Sequence, residues 1–325
     1  MKLISFIINC YNKIKYNNDV FDRSHLGLFT INKMCSEMPY PNHDIIIDNN
    51  VYGVGTVLKS FSVFNEQINA YIEHGVYFGN HFDENRWYAD KIITFSKQRK
   101  QHLLSQGVKK KIHVIGPYIH YAQELLSSHE SLVLKKQLKK TILVFPIHST
   151  SSLLTKYDIE KFIRRVFDLV EKYSFDSILV CLYWKDANNQ DLVEIYKSYG
   201  CKICSAGHKW DKDFLGRLKT IINLSDVSVS NGVGTHIGYS VILNKPHTVL
   251  ESDVEYISVG VNGANSLRQE MKNSRLIEVN HVKTGFTRDD GRLYVQINDV
   301  QKRLCNKYWG NNELKTSEEL FSILS

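Results

Sequence analysis

Residues 225–247 read SDVSVSNGVGTHIGYSVILNKPH. Val227 and Val229 form a short β-type run, Ser230 to Gly234 a turn of small residues, and the stretch after Thr235 an amphipathic segment closed by Lys245-Pro246. The order strand, loop, helix, strand is the unit of a parallel α/β sheet. A dinucleotide fingerprint would need G-x-G-x-x-G in the first such unit of a domain, with an acidic residue about 20 positions later. Here Gly232, Gly234 and Gly238 are spaced G-x-G-x-x-x-G, after roughly the fourth strand of their series, so spacing and position both exclude it. Two readings remain. Ser230, Asn231, Gly232, Gly234 and Thr235 supply backbone amides and small polar groups at a helix N-terminus, where an anion is stabilised. Alternatively, small residues merely permit a tight strand-to-helix turn.

Outward from this loop lie two series of apolar runs separated by helix-length segments. The second holds TILVFP (141–146), SILVCLYW (177–184), CKICSAG (201–207), SDVSVS (225–230), KPHTVL (245–250) and RLIEVN (275–280). The first holds HDIIIDN (43–49), AYIEHG (70–75), DKIITFS (90–96) and KIHVIG (111–116), with KQRKQHLLSQG as one intervening helix. Near-continuous Val/Ile runs of this length predict strands buried on both faces of parallel sheets. The fold class is therefore α/β, with two Rossmann-like domains, 1–135 and 136–325, whose sheets face a central cleft. The boundary is expected in the lysine-rich segment near 125–140.

A chain of 325 residues, 43% hydrophobic and 23% charged, has the composition of a soluble protein with room for two cores. Its net charge of +7 suits an anionic partner without selecting one. Six scattered cysteines fit thiols of a reducing compartment, so the cytoplasm is expected. At the N-terminus, Ile4, Ile7, Ile8, Tyr11 and Ile14 recur at helical spacing and predict an amphipathic helix, not a signal peptide. No apolar run approaches the roughly 18 residues of a membrane span.

Three more polar stretches fall at predicted strand C-termini, the edge at which α/β sheets bind ligands: FPIHSTSS (145–152), CLYWKD (181–186) and SAGHKWDKDFLGRLK (205–219). Singly, Trp184 and Trp210 read as packing aromatics and His148 and His208 as ordinary histidines. Their shared rim is what points to a site.

The two-series layout, the stretch ADKIITFSKQRKQHLLSQGVKKKIHVIGPYI and the loop SNGVGTHIGYSVILNKPH resemble bacterial glycosyltransferases of the GT-B fold, most of all those that build surface polysaccharide such as capsule or lipopolysaccharide. The resemblance covers about residues 43–285. It implies a nucleotide-sugar donor held by the C-terminal domain as substrate, no cofactor, and a glycan or lipid-linked acceptor held by the N-terminal domain. By the same resemblance, residues 230–236, His236 included, correspond to the phosphate cradle, the Ser205–Lys209 loop with Gly207, His208 and Lys209 to the base and ribose site, and Ser149 and Thr150 to a second phosphate contact. The E-x-x-x-x-x-x-E spacing of well-known retaining families is absent, and Glu251 stands alone, which favours inversion.

Inversion needs a base for the acceptor hydroxyl and a positive environment for the leaving phosphate. In YIEHGVYFGNHFDENRW, His74 is the first candidate base, with Glu73 as its orienter or as the base itself and Asp83, then Glu84, in reserve. His236, Lys209 and Lys245 are the available donors to the phosphate. Asp211 and Asp213 read as helix-opening acids, not a metal pair, and Cys201 and Cys204 as buried thiols, so no metal is expected. The basic runs 108–113 and 135–140 read as solvated faces, or as patches meeting anionic lipid at the inner face of a membrane. Nucleic acid is not expected, because no exposed aromatics interleave with them. The alternatives are a GT-B-like nucleotide-sugar epimerase, a polyol-phosphate transferase, and a non-catalytic sugar- or nucleotide-binding module.

Overall fold

Runs of three to five buried residues form strands of both main sheets, because consecutive side chains are covered on both sides. The computed structural model describes residues 2–39, 41, 46–80, 89–149, 153–258 and 265–325, with backbone alone at 2–9, 153, 256, 258 and 265–272. Strands β1 (Ala70–Ile72), β2 (Lys91–Thr94) and β3 (Lys111–Val114) make a parallel sheet in that order. There follow β4 (Thr141–Phe145), β5 (Leu153–Lys156), β6 (Ser177–Cys181), β7 (Lys202–Cys204), β8 (Val227–Ser230), β9 (His247–Val249) and β10 (Glu255–Ser258). Five of these form a parallel sheet ordered β7-β6-β4-β8-β9. The chain builds outward from β4 to β7, then returns to add β8 on the other side of β4. That reversal is a topological switch point, and it opens a crevice at the C-terminal ends of β4 and β8. The expected architecture of two parallel α/β layers is observed.

Helices cover the sheets where the apolar spacing asks for them. In Ile159–Tyr173, Phe162, Ile163, Val166 and Leu169 make one buried stripe, and Asp158 caps the start by accepting from the amide of Lys161. Lys97–Ser105 is capped in the same way by Ser96.

Several expectations need correction. RLIEVN is not a strand but part of the helix Asn265–Phe286; its short apolar run fits either period. HDIIIDN lies partly outside the described residues, and from Ile47 it is a 3-10 helix reaching Gly53. The segment in which the boundary is expected holds the helix Ser128–Leu138, opened by a reciprocal Ser127–Glu130 cap. The antiparallel pair β5–β10 was not foreseen. The first helix, Lys2–Ser24, does form, but Tyr11 and Ile14 are exposed while Tyr16 and Val20 pack inward. The side chains of Ile4, Ile7 and Ile8 lie outside the described residues. Among the described residues no helix is long and apolar enough to cross a membrane.

Each end of the chain packs on the distant layer. Near the N-terminus, Tyr16 Oη donates to Trp210 O at 2.9 Å, and the buried guanidinium of Arg23 donates to the carbonyls of Lys33, Met34, Ser36 and Glu37. That clamp shapes residues 33–37, whose Met34 carbonyl accepts from the amide of His208. At the other end, the helix Ser317–Leu324 buries Leu320 and Leu324, and Ser317 Oγ donates to Phe61 O beside the first sheet. Between them Trp309, fully buried, donates from Nε1 to the carbonyl of Thr235 at 3.2 Å and lays its ring against Gly238.

A Cβ at position 238 would overlap the indole of Trp309. Gly238→Ala is therefore expected to destabilise the protein by about 1–3 kcal/mol, as overpacking of a filled core does. Urea unfolding should show a lower midpoint at unchanged slope.

Candidate functional site

The crevice at the switch point is a cavity of about 180 Å³ between the two layers. From the second sheet come Phe145, Pro146, Ile147 and His148 after β4, Leu182 and Tyr183 after β6, Ala206 after β7, and Gly232 to His236 after β8. The helix Phe214–Leu224 adds Phe214, Leu215 and Leu218, and the helix Thr235–Ile242 adds Tyr239. The first layer contributes Tyr52 and His74. Among the described residues this lining holds no Lys, Arg, Asp or Glu; its titratable groups are three histidines, three tyrosines and Cys181.

The glycines of the opening motif are used one by one. At Gly232 a Cβ would lie 2.6 Å from Cδ1 of Ile147, so a side chain there would have to displace the end of Ile147. Gly238 admits Trp309. Gly234 has extended backbone and precedes the helix N-terminus, with His236 alongside. Tight packing thus explains two of the three glycines, and the third lies at the free amides of the helix start.

The loops are fixed to one another across the layers. Asn231 Oδ1 accepts from the amide of Ile147 at 2.7 Å, joining the β4 and β8 loops. Thr235 Oγ1 accepts from the amide of Val76 at 3.2 Å, joining the helix start to the turn after β1. The amide of Tyr52 donates to the carbonyl of Lys209 at 2.7 Å.

Of the sequence-predicted residues, His74, Gly232, Gly234, Thr235 and His236 meet in this cavity. His74 is half-buried, its Nδ1 has no partner, and burial lowers its pKa below 6.5 against the opposing influence of Asp48 and Glu73. His236 stacks on Phe145 at 4.9 Å, and burial, reinforced by His148, brings its pKa down to about 3. Both imidazoles are neutral at pH 7.

Other predicted residues are taken up by the fold. Glu73 is not the orienter of His74. Its carboxylate receives Arg99 Nε at 3.0 Å, Arg99 Nη2 at 2.6 Å and Thr94 Oγ1 at 2.6 Å, all buried. Those bonds commit the carboxylate to the guanidinium and the threonine hydroxyl. Ser230 Oγ donates to Gly232 O, and Ser149 Oγ accepts from the amide of Thr155. Gly207 and His208 are not among the lining residues; His208 is buried against Trp184, with a pKa lowered to about 3 by burial and by Arg23. The N-terminal segment 33–37 covers that loop where a base and ribose were expected. Lys209 holds its ammonium over Trp210 at 4.9 Å, near enough to depress His74. Lys245 donates to Asn223 O and Ser225 O ahead of β8, at the opposite rim, so it cannot serve the leaving phosphate. Asp211 pairs with Arg217, both fully buried, and its other oxygen accepts from the amide of Asp213. Glu251 is exposed beyond β9. Asp83, Glu84 and Thr150 lie outside the described residues.

Sequence reasoning missed Tyr52, Phe145, Tyr183, Phe214 and Tyr239. Phe145 ends β4 and Tyr183 follows β6, so the strand-end rule that singled out the polar loops reaches them too. Tyr52 carried a weaker signal, the NNVYG turn, in which it adopts φ 58°.

No protein-family model matches the chain, and no curated protein does. Among solved structures, the chain is similar to the UDP-GlcNAc 2-epimerase of Methanocaldococcus jannaschii in complex with UDP-GlcNAc and UDP, at 15% identity over 66% of this chain and 69% of that one, with a TM-score of 0.39. It is similar to the Neisseria meningitidis UDP-GlcNAc 2-epimerase at 14% identity over 78% of each chain, TM-score 0.35. It is also similar to the pneumococcal O-GlcNAc transferase GtfA at 12% identity, over 83% of this chain and 51% of that one, TM-score 0.34. The fold assignment rests on the strand order itself.

Replacing Glu73 by Gln would leave Arg99 buried without a counter-charge. Losing one partner of such a pair costs about 3–5 kcal/mol. Urea unfolding of Glu73→Gln should show that loss, and a variant as stable as the parent would reject the structural role of the pair.

Proposed function

We propose that the protein transfers a glycosyl group, with inversion, from a nucleotide-sugar donor to a hydroxyl acceptor. The observation that carries this reading is that one cavity at the switch point is lined both by the free helix start at Thr235 and by the neutral imidazole of His74 from the facing layer. The resemblance over residues 43–285 supports a surface glycan or lipid-linked molecule as the acceptor.

In this reading the donor diphosphate lies at the N-terminus of Thr235–Ile242, whose amides and dipole stabilise negative charge without a basic side chain. The acceptor oxygen attacks the anomeric carbon as the bond from that carbon to the diphosphate oxygen breaks. The electron pair leaves with the phosphate, and the acceptor proton passes to His74. Burial keeps His74 unprotonated at neutral pH, as a base must be. Epimerisation at the sugar ring would call for several acidic groups around the donor, and the described lining offers none.

The test is nucleotide release from a panel of UDP-, GDP- and CMP-activated sugars, with and without acceptor saccharides. Release that depends on acceptor is expected; no release from any donor would reject the reading. His74→Ala should lower turnover by roughly 10²- to 10⁴-fold, the usual worth of a positioned base, with donor affinity nearly unchanged. Because the folded pKa of His74 is depressed, activity should stay flat near neutrality and fall only as pH drops through a value below 6.5. A limb rising above pH 7 would assign the base elsewhere.

A further inference from the structure

The helix Lys2–Ser24 turns opposite faces to the protein and to solvent. Tyr16, Val20 and Arg23 hold its inner face. Tyr16 and Val20 share a buried cluster with Val51 and Trp210, and Tyr52, which lines the cavity, packs against that cluster. The helix is thus seated beside the rim of the candidate site. At 3.6 residues per turn, Tyr11, Ile14 and Phe21 fall together on its far side. They are 63%, 60% and 66% exposed, although side chains of this kind gain free energy when water is removed from them. In the sequence the same spacing runs back through Ile4 and Ile7. An apolar stripe left uncovered on a helix whose other side is anchored is a contact surface.

The charges around the stripe select its partner. Lys13 and Lys15 adjoin Ile14 in sequence, and a helix sets them about 100° to either side of it, where both are exposed. Residues 1–18 hold Lys2, Lys13 and Lys15 and no acid. The first two acids, Asp19 and Asp22, are paired with Arg23 and Lys33. A second copy laid on this stripe would set lysine against lysine. Anionic headgroups would instead meet the ammonium groups while the lysine stems follow the apolar face inward. Among the described residues no helix can cross a bilayer, so this one would lie along its surface. The lysine run 135–140, expected above as a lipid patch, is partly committed elsewhere: Lys135 pairs with Asp226, and Lys140 donates to the carbonyl of Tyr173. We propose that the outer face of Lys2–Ser24 docks on a bilayer containing anionic phospholipid, with Tyr11, Ile14 and Phe21 in the interface and Lys13 and Lys15 at the headgroups. This goes beyond the transfer reaction and does not depend on it.

The experiment is flotation of the full chain with vesicles of phosphatidylcholine, alone or mixed with phosphatidylglycerol, read together with a reporter on the helix. Cys10 is exposed and lies one turn before Ile14, whereas Cys35, Cys181, Cys201, Cys204 and Cys305 are buried, so a polarity-sensitive maleimide dye labels the helix selectively. The protein should float with the mixed vesicles, less so at high salt, and the emission of the dye should move to the blue. Ile14→Ser combined with Phe21→Ser should weaken binding about tenfold or more. Lys13→Gln and Lys15→Gln should weaken it about fivefold for each charge removed. All four side chains are exposed, so the urea midpoint should stay at that of the parent. Absence of flotation with the mixed vesicles, or flotation unchanged in both sets of variants, would overturn the proposal. An unmoved dye on floating protein would also overturn it, by placing the lipid contact on another element. Self-association that Ile14→Ser with Phe21→Ser abolishes, in a chain that binds no vesicle, would give the stripe to a second copy and overturn it too. The two readings fail separately. Nucleotide release by a chain that does not float sinks this one alone, whereas flotation without release from any donor sinks the transfer reaction alone.

Discussion

Thr235 is bonded from both sides. Its hydroxyl accepts the amide of Val76 from the first layer, and its carbonyl accepts the indole of Trp309 from the C-terminal segment. Two hydrogen bonds to one residue tie the helix start, the turn after β1 and the returning chain together. Phe78, two residues beyond Val76, packs on the same indole at 5.6 Å, so the polar junction is backed by apolar contact. The cavity depends on this closure, because its two walls come from layers that no strand connects.

Several charged groups near the crevice are committed before any ligand arrives. Glu73 with Arg99 and Asp211 with Arg217 are buried ion pairs, and Arg23 is spent on backbone carbonyls. A buried charge without a partner is costly, so a carboxylate at a strand end will be paired inside the protein whenever a guanidinium can reach it. Histidine escapes this rule by giving up its charge. His74 and His236 can therefore stand at the cavity with one buried, unpaired nitrogen each, at the cost of a hydrogen bond instead of a buried ion.

The strand-helix alternation was legible because parallel strands buried on both faces leave uninterrupted Val/Ile runs, as in TILVF and SILVC. It failed at RLIEVN, where three apolar side chains in six fit a helix as well as a strand, and at β5–β10, where Leu153–Lys156 carries no such run. The crevice was legible from the positions of loops, since a strand order that reverses beside β4 makes the ends of β4 and β8 its walls. The roles of single polar residues were not. Glu73 and His74 are adjacent in sequence, yet just past the end of β1 one meets Arg99 and the other lines the cavity. Nothing local marks Arg99, 26 positions later, as the partner of Glu73. The pairing of Trp309 with Gly238 is equally remote in sequence.

The net charge of +7 belongs to the surface, and the described cavity lining carries none of it. An anion entering there would meet oriented dipoles instead of lysines. A helix start presents the equivalent of roughly half a positive charge, fixed in direction and needing no counter-ion when the site is empty. Placing a lysine in the lining would add more attraction but would have to be desolvated as the layers close. Lys209 occupies the intermediate position. Its ammonium rests on the face of Trp210, outside the lining, yet close enough to disfavour the protonated form of His74. The same charge that would attract an anionic ligand towards the crevice thereby adds a small push to the burial that disfavours the protonated imidazole.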